Sequence, residues 1–241
     1  MKKKFLALFL TTVMALTLAG CNGKQNDSKS EETTVRNEAL QNAIDAAQTV
    51  LDKEETPFDE ETTAKLEAAI SAAVDASGAD DCSALIQTIT EAQTAYEDSI
   101  LSLKQITAPT DDFVMERLKQ VDTIIDMAPV TEERDPNGKL NKQGGYIGCI
   151  YFRDEQVDWE EEYIEGDVLD AGCHGGGAVE IFGNVEDAQE RDEYLGMLDG
   201  LFADSHYVYG TLVIRTSSEL SAAKQQELTD KIVQALTYVE H

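Results

Sequence analysis

Between positions 34 and 104, apolar residues recur at the three- and four-residue spacing of helices. Leu40, Ile44, Ala47 and Leu51 make a first stripe. The Thr56-Pro57 step ends it, because a residue before proline is pushed out of the α region. Leu66, Ile70 and Ala73 make a second stripe, which stops at the C-cap signal Ser77-Gly78. Cys82, Leu85, Ile89, Ala92, Tyr96 and Ile100 make the third and clearest. Each predicted helix is charged on its reverse side, so each must bury its stripe against a partner. Short connections make consecutive helices antiparallel, and the expectation is a three-helix bundle over residues 34–106.

Near Pro109 the pattern changes to glycines, aromatics and alternating runs. Asp111 or Asp112 can cap a helix carrying Val114, Leu118, Val121 and Ile125. Asp135-Pro136-Asn137-Gly138 is turn chemistry. A strand is predicted over Gly145–Phe152, with Tyr146, Ile150 and Phe152 on one face and Ile147, Cys149 and Tyr151 on the other. A second covers Ala178–Phe182 and a third His206–Arg215. Between those two, Asn184 caps a helix from Val185 to about Leu198, with Asp187 at its third position. Thr216-Ser217-Ser218-Glu219 matches a capping box for a last helix through Leu228, Ile232, Ala235 and Val239. The predicted fold class is α+β. An N-terminal three-helix bundle precedes an α+β sandwich over 107–241, whose mainly antiparallel sheet carries its helices on one face.

The chain opens differently. Lys2, Lys3 and Lys4 precede an uncharged apolar run of 14 residues, Phe5–Leu18. About 20 helical residues are needed to span a bilayer, so the run fits a signal-peptide core over residues 1–20. Leu18-Ala19-Gly20-Cys21 follows and resembles the lipobox of bacterial lipoproteins. That resemblance implies cleavage between Gly20 and Cys21, a diacylglycerol on the Cys21 sulfur, and a place on the extracytoplasmic face of the cell membrane. Residues 21–33 are polar and read as a flexible tether.

Net charge is −28; without the leader's three lysines, 16 basic residues face 47 acidic ones, a net of −31. Such a surface repels nucleic acid and anionic lipid, so no nucleic-acid partner is expected. Cys82, Cys149 and Cys173 are three further thiols, which cannot all pair within one molecule. Cys82 and Cys149 fall at core positions, and a Cys149–Cys173 bridge stays open on spacing alone.

Two further resemblances bear on the modules. Leu40-Gln41-Asn42-Ala43-Ile44-Asp45-Ala46-Ala47, with the later alanine-rich stripes, is similar to FIVAR-type helical modules of Gram-positive surface proteins, which implies a spacer or binding unit. Val179-Glu180-Ile181-Phe182, the stretch Glu186–Leu195 and Tyr209-Gly210-Thr211-Leu212-Val213-Ile214-Arg215 resemble a module of uncharacterised Gram-positive lipoproteins. That likeness implies localisation and fold, with no activity attached.

Candidate chemistry centres on Ala171-Gly172-Cys173-His174-Gly175-Gly176-Gly177. A nucleophilic Cys173–His174 pair is set against adjacent side chains that diverge, and against glycines that supply positive φ in a loop before a strand. Cys149, Cys173, His174 and His206 show no CxxC or HxxxH spacing for zinc. Asp135, Asn137 and Asn141 offer calcium ligands beside turn glycines. Lys139 breaks the EF-hand pattern there, and no glutamate stands at the twelfth position. Residues 154–170 hold nine acids and no base, a solvated edge by default. The sole tryptophan, Trp159, could contact a sugar or peptide, although partial core packing is the commoner fate of tryptophan. Arg215 could grip a ligand carboxylate or satisfy nearby acids.

No GxSxG, HExxH, GxGxxG or tandem CxxC occurs. No metal, cofactor or catalytic residue is assigned. The expected function is a non-catalytic, lipid-anchored surface protein, in which a helical spacer presents an α+β domain to a protein, peptide or glycan. Trp159, His174 and Arg215 are its candidate ligand contacts. One alternative is a small exported enzyme or thiol/redox protein centred on Cys173-His174. A second is a solute-binding lipoprotein of a transporter, which about 130 non-bundle residues make small for two lobes.

Overall fold

The computed structural model describes residues 27–76, 81–198 and 204–241. The leader, Gly20, Cys21 and the Ser77-Gly78 stop lie outside the described residues.

Three helices come first: α1 (Asp27–Leu51), α2 (Glu61–Asp75) and α3 (Ser83–Gln105). Because α1 reaches back to Asp27, residues 27–33 of the expected tether are helical; after Gly23 no glycine or proline interrupts the chain until Pro57. The predicted stripes meet in one core of Leu40, Ile44, Ala47, Leu66, Ile70, Ala73, Cys82, Ile89, Tyr96 and Ile100. Tyr96 is buried, and its hydroxyl donates to the Glu55 carbonyl at 2.8 Å, which satisfies the one polar atom it brings inside.

The remainder is α4 (Asp111–Leu118), β1 (Ile124–Pro129), β2 (Gly148–Asp154), α5 (Val168–Ala171), a 3-10 turn (Gly172–Gly175), β3 (Gly176–Ile181), α6 (Val185–Gly196), β4 (Ser205–Tyr209), β5 (Leu212–Thr216) and α7 (Ala222–Thr237). The five strands form one wholly antiparallel sheet in the order β1-β2-β3-β5-β4. The fold class is α+β, as the patterning predicts. No described helix is long and apolar enough to cross a membrane.

Several local expectations are corrected. Thr110, not Asp111 or Asp112, caps α4 by accepting from the Phe113 N–H. Val121 and Ile125 lie beyond that helix: the chain turns, and Ile125 sits in edge strand β1, exposed. The four-residue step from Val121 to Ile125 crosses a turn into a short strand, whose Asp126 and Pro129 mask its alternation. Tyr146 falls before β2 and joins the core of Cys149 and Tyr151, while Ile147 is exposed.

The third predicted strand is a hairpin. Gly210 takes φ +59°, Tyr209 pairs with Leu212, and Gly210-Thr211 forms the two-residue turn. Thr216–Glu219 is not a cap: Thr216 ends β5, Ser217 is buried, α7 opens behind Ser221, and Val239 lies past its end.

Helices cover both faces of the sheet rather than one. Ile150, Phe152, Val179, Ile181, Leu212 and Ile214 pack under α4 and α7, and Ile106 at the end of the bundle joins them. Cys149, Tyr151, Ala178, Phe182 and Val213 pack on the other side with Ala188 and Leu195 of α6. Strands buried on both faces read as nearly continuous apolar runs, which hides the second layer from a period-two search.

The bundle docks on the hairpin. The Ile106 carbonyl accepts from the Thr211 N–H at 3.2 Å, the Thr211 hydroxyl accepts from the Ala108 N–H at 2.7 Å, and Ser102 donates to the Thr237 carbonyl at 2.7 Å.

Candidate functional site

On the α6 side of the sheet, register sets Cys149 opposite Glu180, Ala178 opposite Arg215, and Arg215 opposite His206. Glu180 therefore lies in the middle strand beneath a helix, and it is 0% exposed. A lone carboxylate there would be expensive to desolvate. Two arginines answer it. Arg191 of α6 clasps it in a fork, Nε to Oε2 and Nη2 to Oε1, both at 2.7 Å. Arg215 donates from Nη1 to Glu180 Oε1 at 3.2 Å, and from Nε and Nη2 to Asp204 Oδ2. Burial works against the charge of Arg191, and the Glu180 carboxylate overcomes it, holding the guanidinium above its ordinary value. Arg215 is raised too: Cys173, Glu180 and Asp204 outweigh its burial.

A recess of about 510 Å³ opens over this network, between α6 and the loop 137–146. That is within the ~300–1,000 Å³ usual for small-molecule sites. Lys139, Arg191 and Arg215 bring positive charge to it, Glu190 and Asp204 negative charge, and Phe182, Tyr194, Leu195 and Leu198 an apolar wall. The two bonds from Arg191 to Glu180 leave Nη1 unused by that carboxylate, and its guanidinium lies 5.6 Å from the Tyr194 ring. The site can thus take a molecule with a carboxylate, an amino group and an apolar body.

The loop at its rim is built on Asp135, which accepts from the Asn137 N–H at 3.0 Å, the Leu140 N–H at 2.7 Å and the Tyr146 hydroxyl. Burial works against that carboxylate's charge, but these bonds hold it below the usual carboxylate range. Asn137 donates its amide to the Tyr151 hydroxyl at 3.0 Å, and Asn141 takes φ +57°. The calcium candidates Asp135, Asn137 and Asn141 therefore shape a turn, with the Asp135 oxygens already accepting hydrogen bonds.

The glycine segment divides its side chains. Cys173 packs against the core, where burial pushes its thiol up to about 12; Cys149 is also raised well above an ordinary thiol by burial. Both are free thiols without a disulfide. His174 points to the surface, its Nδ1 3.3 Å from Glu219 Oε1. His206 pairs instead with Asp192 at 2.7 Å. The four residues weighed for zinc are thus not brought to one point.

Only Gly172 in this segment uses positive φ. Gly175 leaves room for the ring of Trp159, and Gly176 and Gly177 leave room for the backbone of neighbouring strands and the Phe152 ring. Trp159 donates to the Gly175 carbonyl at 2.9 Å and lies 4.4 Å under the Arg153 guanidinium, a half-buried wedge between the two cores. Of the three expected contacts, Arg215 lines the recess, whereas Trp159 and His174 do not. The sequence pattern gives Glu180, Arg191 and Asp204 no role, and Lys139 enters it only as the residue that breaks the EF-hand spacing. A single acid inside the apolar run Ala178–Phe182 was the available signal for Glu180.

No family model, curated protein or solved structure matches the chain.

Proposed function

We propose that this is a lipid-anchored, extracytoplasmic, non-catalytic binding protein. Cys21 carries the anchor, the helical bundle acts as spacer, and the α+β domain captures a short peptide in the arginine-floored recess. The single observation that supports the ligand class is the mixed lining of the recess. Lys139 and the two arginines suit a carboxylate, Glu190 and Asp204 suit an amino group, and the wall from Phe182 to Leu198 suits a side chain. A peptide fits this pattern better than a glycan, which would want stacked aromatic faces and neutral hydrogen-bonding groups. The thiol alternative at Cys173 meets a thiol raised by burial.

The test is a thermal-shift and calorimetric screen of the full chain against short peptides, free amino acids and oligosaccharides. Peptide binding should weaken at least about tenfold in a Lys139→Glu/Tyr194→Ala variant, in line with losing one charged and one aromatic contact. Oligosaccharide binding, or peptide binding indifferent to both changes, would overturn the reading. For the anchor, Cys21→Ser should abolish incorporation of labelled fatty acid with the circular dichroism intact. Labelling that persists would exclude Cys21 as the anchor.

A further inference from the structure

We propose that Glu162, His174 and Glu219 form a site for a divalent transition-metal ion of the zinc type, which clamps the acidic loop after β2 to the turn leading into α7. The three residues come from separate segments: the loop 155–166, the 3-10 turn, and the connection between β5 and α7. Their ligand atoms, one from each side chain, all lie within 4.8 Å of one another, the sole such group among the described residues. His174 Nδ1 and Glu219 Oε1 stand 3.3 Å apart. Ligands about 2.0–2.2 Å from a tetrahedral zinc are themselves about 3.3 Å apart. One edge of the site is therefore already at coordination length, and the distances from Glu162 exceed that length by at most about 1.5 Å.

The frame that holds the site is built from hydrogen bonds. Ser217 donates its hydroxyl to the His174 carbonyl at 2.7 Å and accepts from the Glu219 N–H at 3.2 Å, so one buried serine sets the spacing of both ligands. Trp159 holds the neighbouring Gly175 carbonyl. Within this frame two carboxylates face each other, and no described lysine or arginine forms an ion pair with either. A dication between them removes the repulsion.

The donor set selects the ion. Calcium and magnesium take oxygen ligands and want six or more, whereas imidazole with carboxylates suits zinc and its neighbours. Three protein ligands leave a fourth position for water.

Zinc chloride titrated into the full chain should show one site by calorimetry and raise the melting temperature. His174→Ala and Glu219→Gln should each weaken it beyond the about 10–100-fold typical of losing an outer-shell partner. Glu162→Gln should leave the metal-free melting temperature equal or higher, because it removes a repelling charge, yet abolish most of the zinc-induced rise. His241→Gln, which removes the exposed imidazole paired with Asp98, should change nothing. Zinc binding that survives His174→Ala, that is lost in His241→Gln, or that calcium chloride matches would overturn the proposal. So would the absence of any zinc-induced rise.

Discussion

Arg191→Met should lower folding stability by about 3–5 kcal/mol, the penalty for removing one partner of a buried ion pair. The reason is the asymmetry between pairing and stranding. Glu180 sits fully buried in the middle strand, and Arg191 supplies the two shortest of its charge-assisted bonds. Without them it keeps one bond from Arg215 at 3.2 Å, and Arg215 is already shared with Asp204. In a protein of this size each kcal/mol shifts the melting temperature by about 2–4 °C, so a fall of about 10 °C is expected. Urea denaturation followed by Trp159 fluorescence measures it, since the sole tryptophan lies in the α+β half. The double variant Glu180→Leu/Arg191→Met should recover most of the loss, because apolar replacement of a buried pair is often neutral. A single variant within about 1 kcal/mol of the parent would mean that the loss is relieved elsewhere, for instance by water reaching Glu180 from the recess.

Gly177→Ala should cost about 3 kcal/mol or more, the upper part of the range for overpacking a core. A methyl group there would meet the Arg215 carbonyl of β5 and the ring of Phe152 at once. The first is backbone in a hydrogen-bonded ladder, the second a fully buried ring, so neither yields cheaply. By contrast, Gly138→Ala meets no atom within 4 Å and carries only the strain of φ +60°, a smaller penalty. The same denaturation experiment ranks them. Equal losses would show that the close approach at Gly177 costs no more than the positive φ at Gly138.

Much of the helical layout was legible because each helix shows one apolar stripe to one core. Leu40, Ile44 and Ala47, and likewise Leu66, Ile70 and Ala73, are buried where the spacing puts them. Asn184 caps α6 as its place before an amphipathic run implies, with the Asp187 N–H donating to it at 2.8 Å. Strand ends and turns are less legible. Gly210 splits one apolar run into two strands, and Gly210-Thr211 is the sole sign of the break between Tyr209 and Leu212. The recess was nearly invisible. Arg191 looks like one charge among many on an acidic helix, and only the register of β3 beneath α6 makes it a partner of Glu180.

By itself the sequence determined the three-helix bundle, the α+β class and the acidic charge, because each depends on composition or on residues close together along the chain. Tertiary structure decided which charges are buried together and which side chains share a cavity. Glu180, Arg191, Asp204 and Arg215 come from β3, α6, the residue before β4, and β5, and Glu162, His174 and Glu219 come from three separate connecting segments. Electrostatics acts through space, so a carboxylate's fate is set by what the fold places within a few ångströms of it, not by its neighbours in the chain.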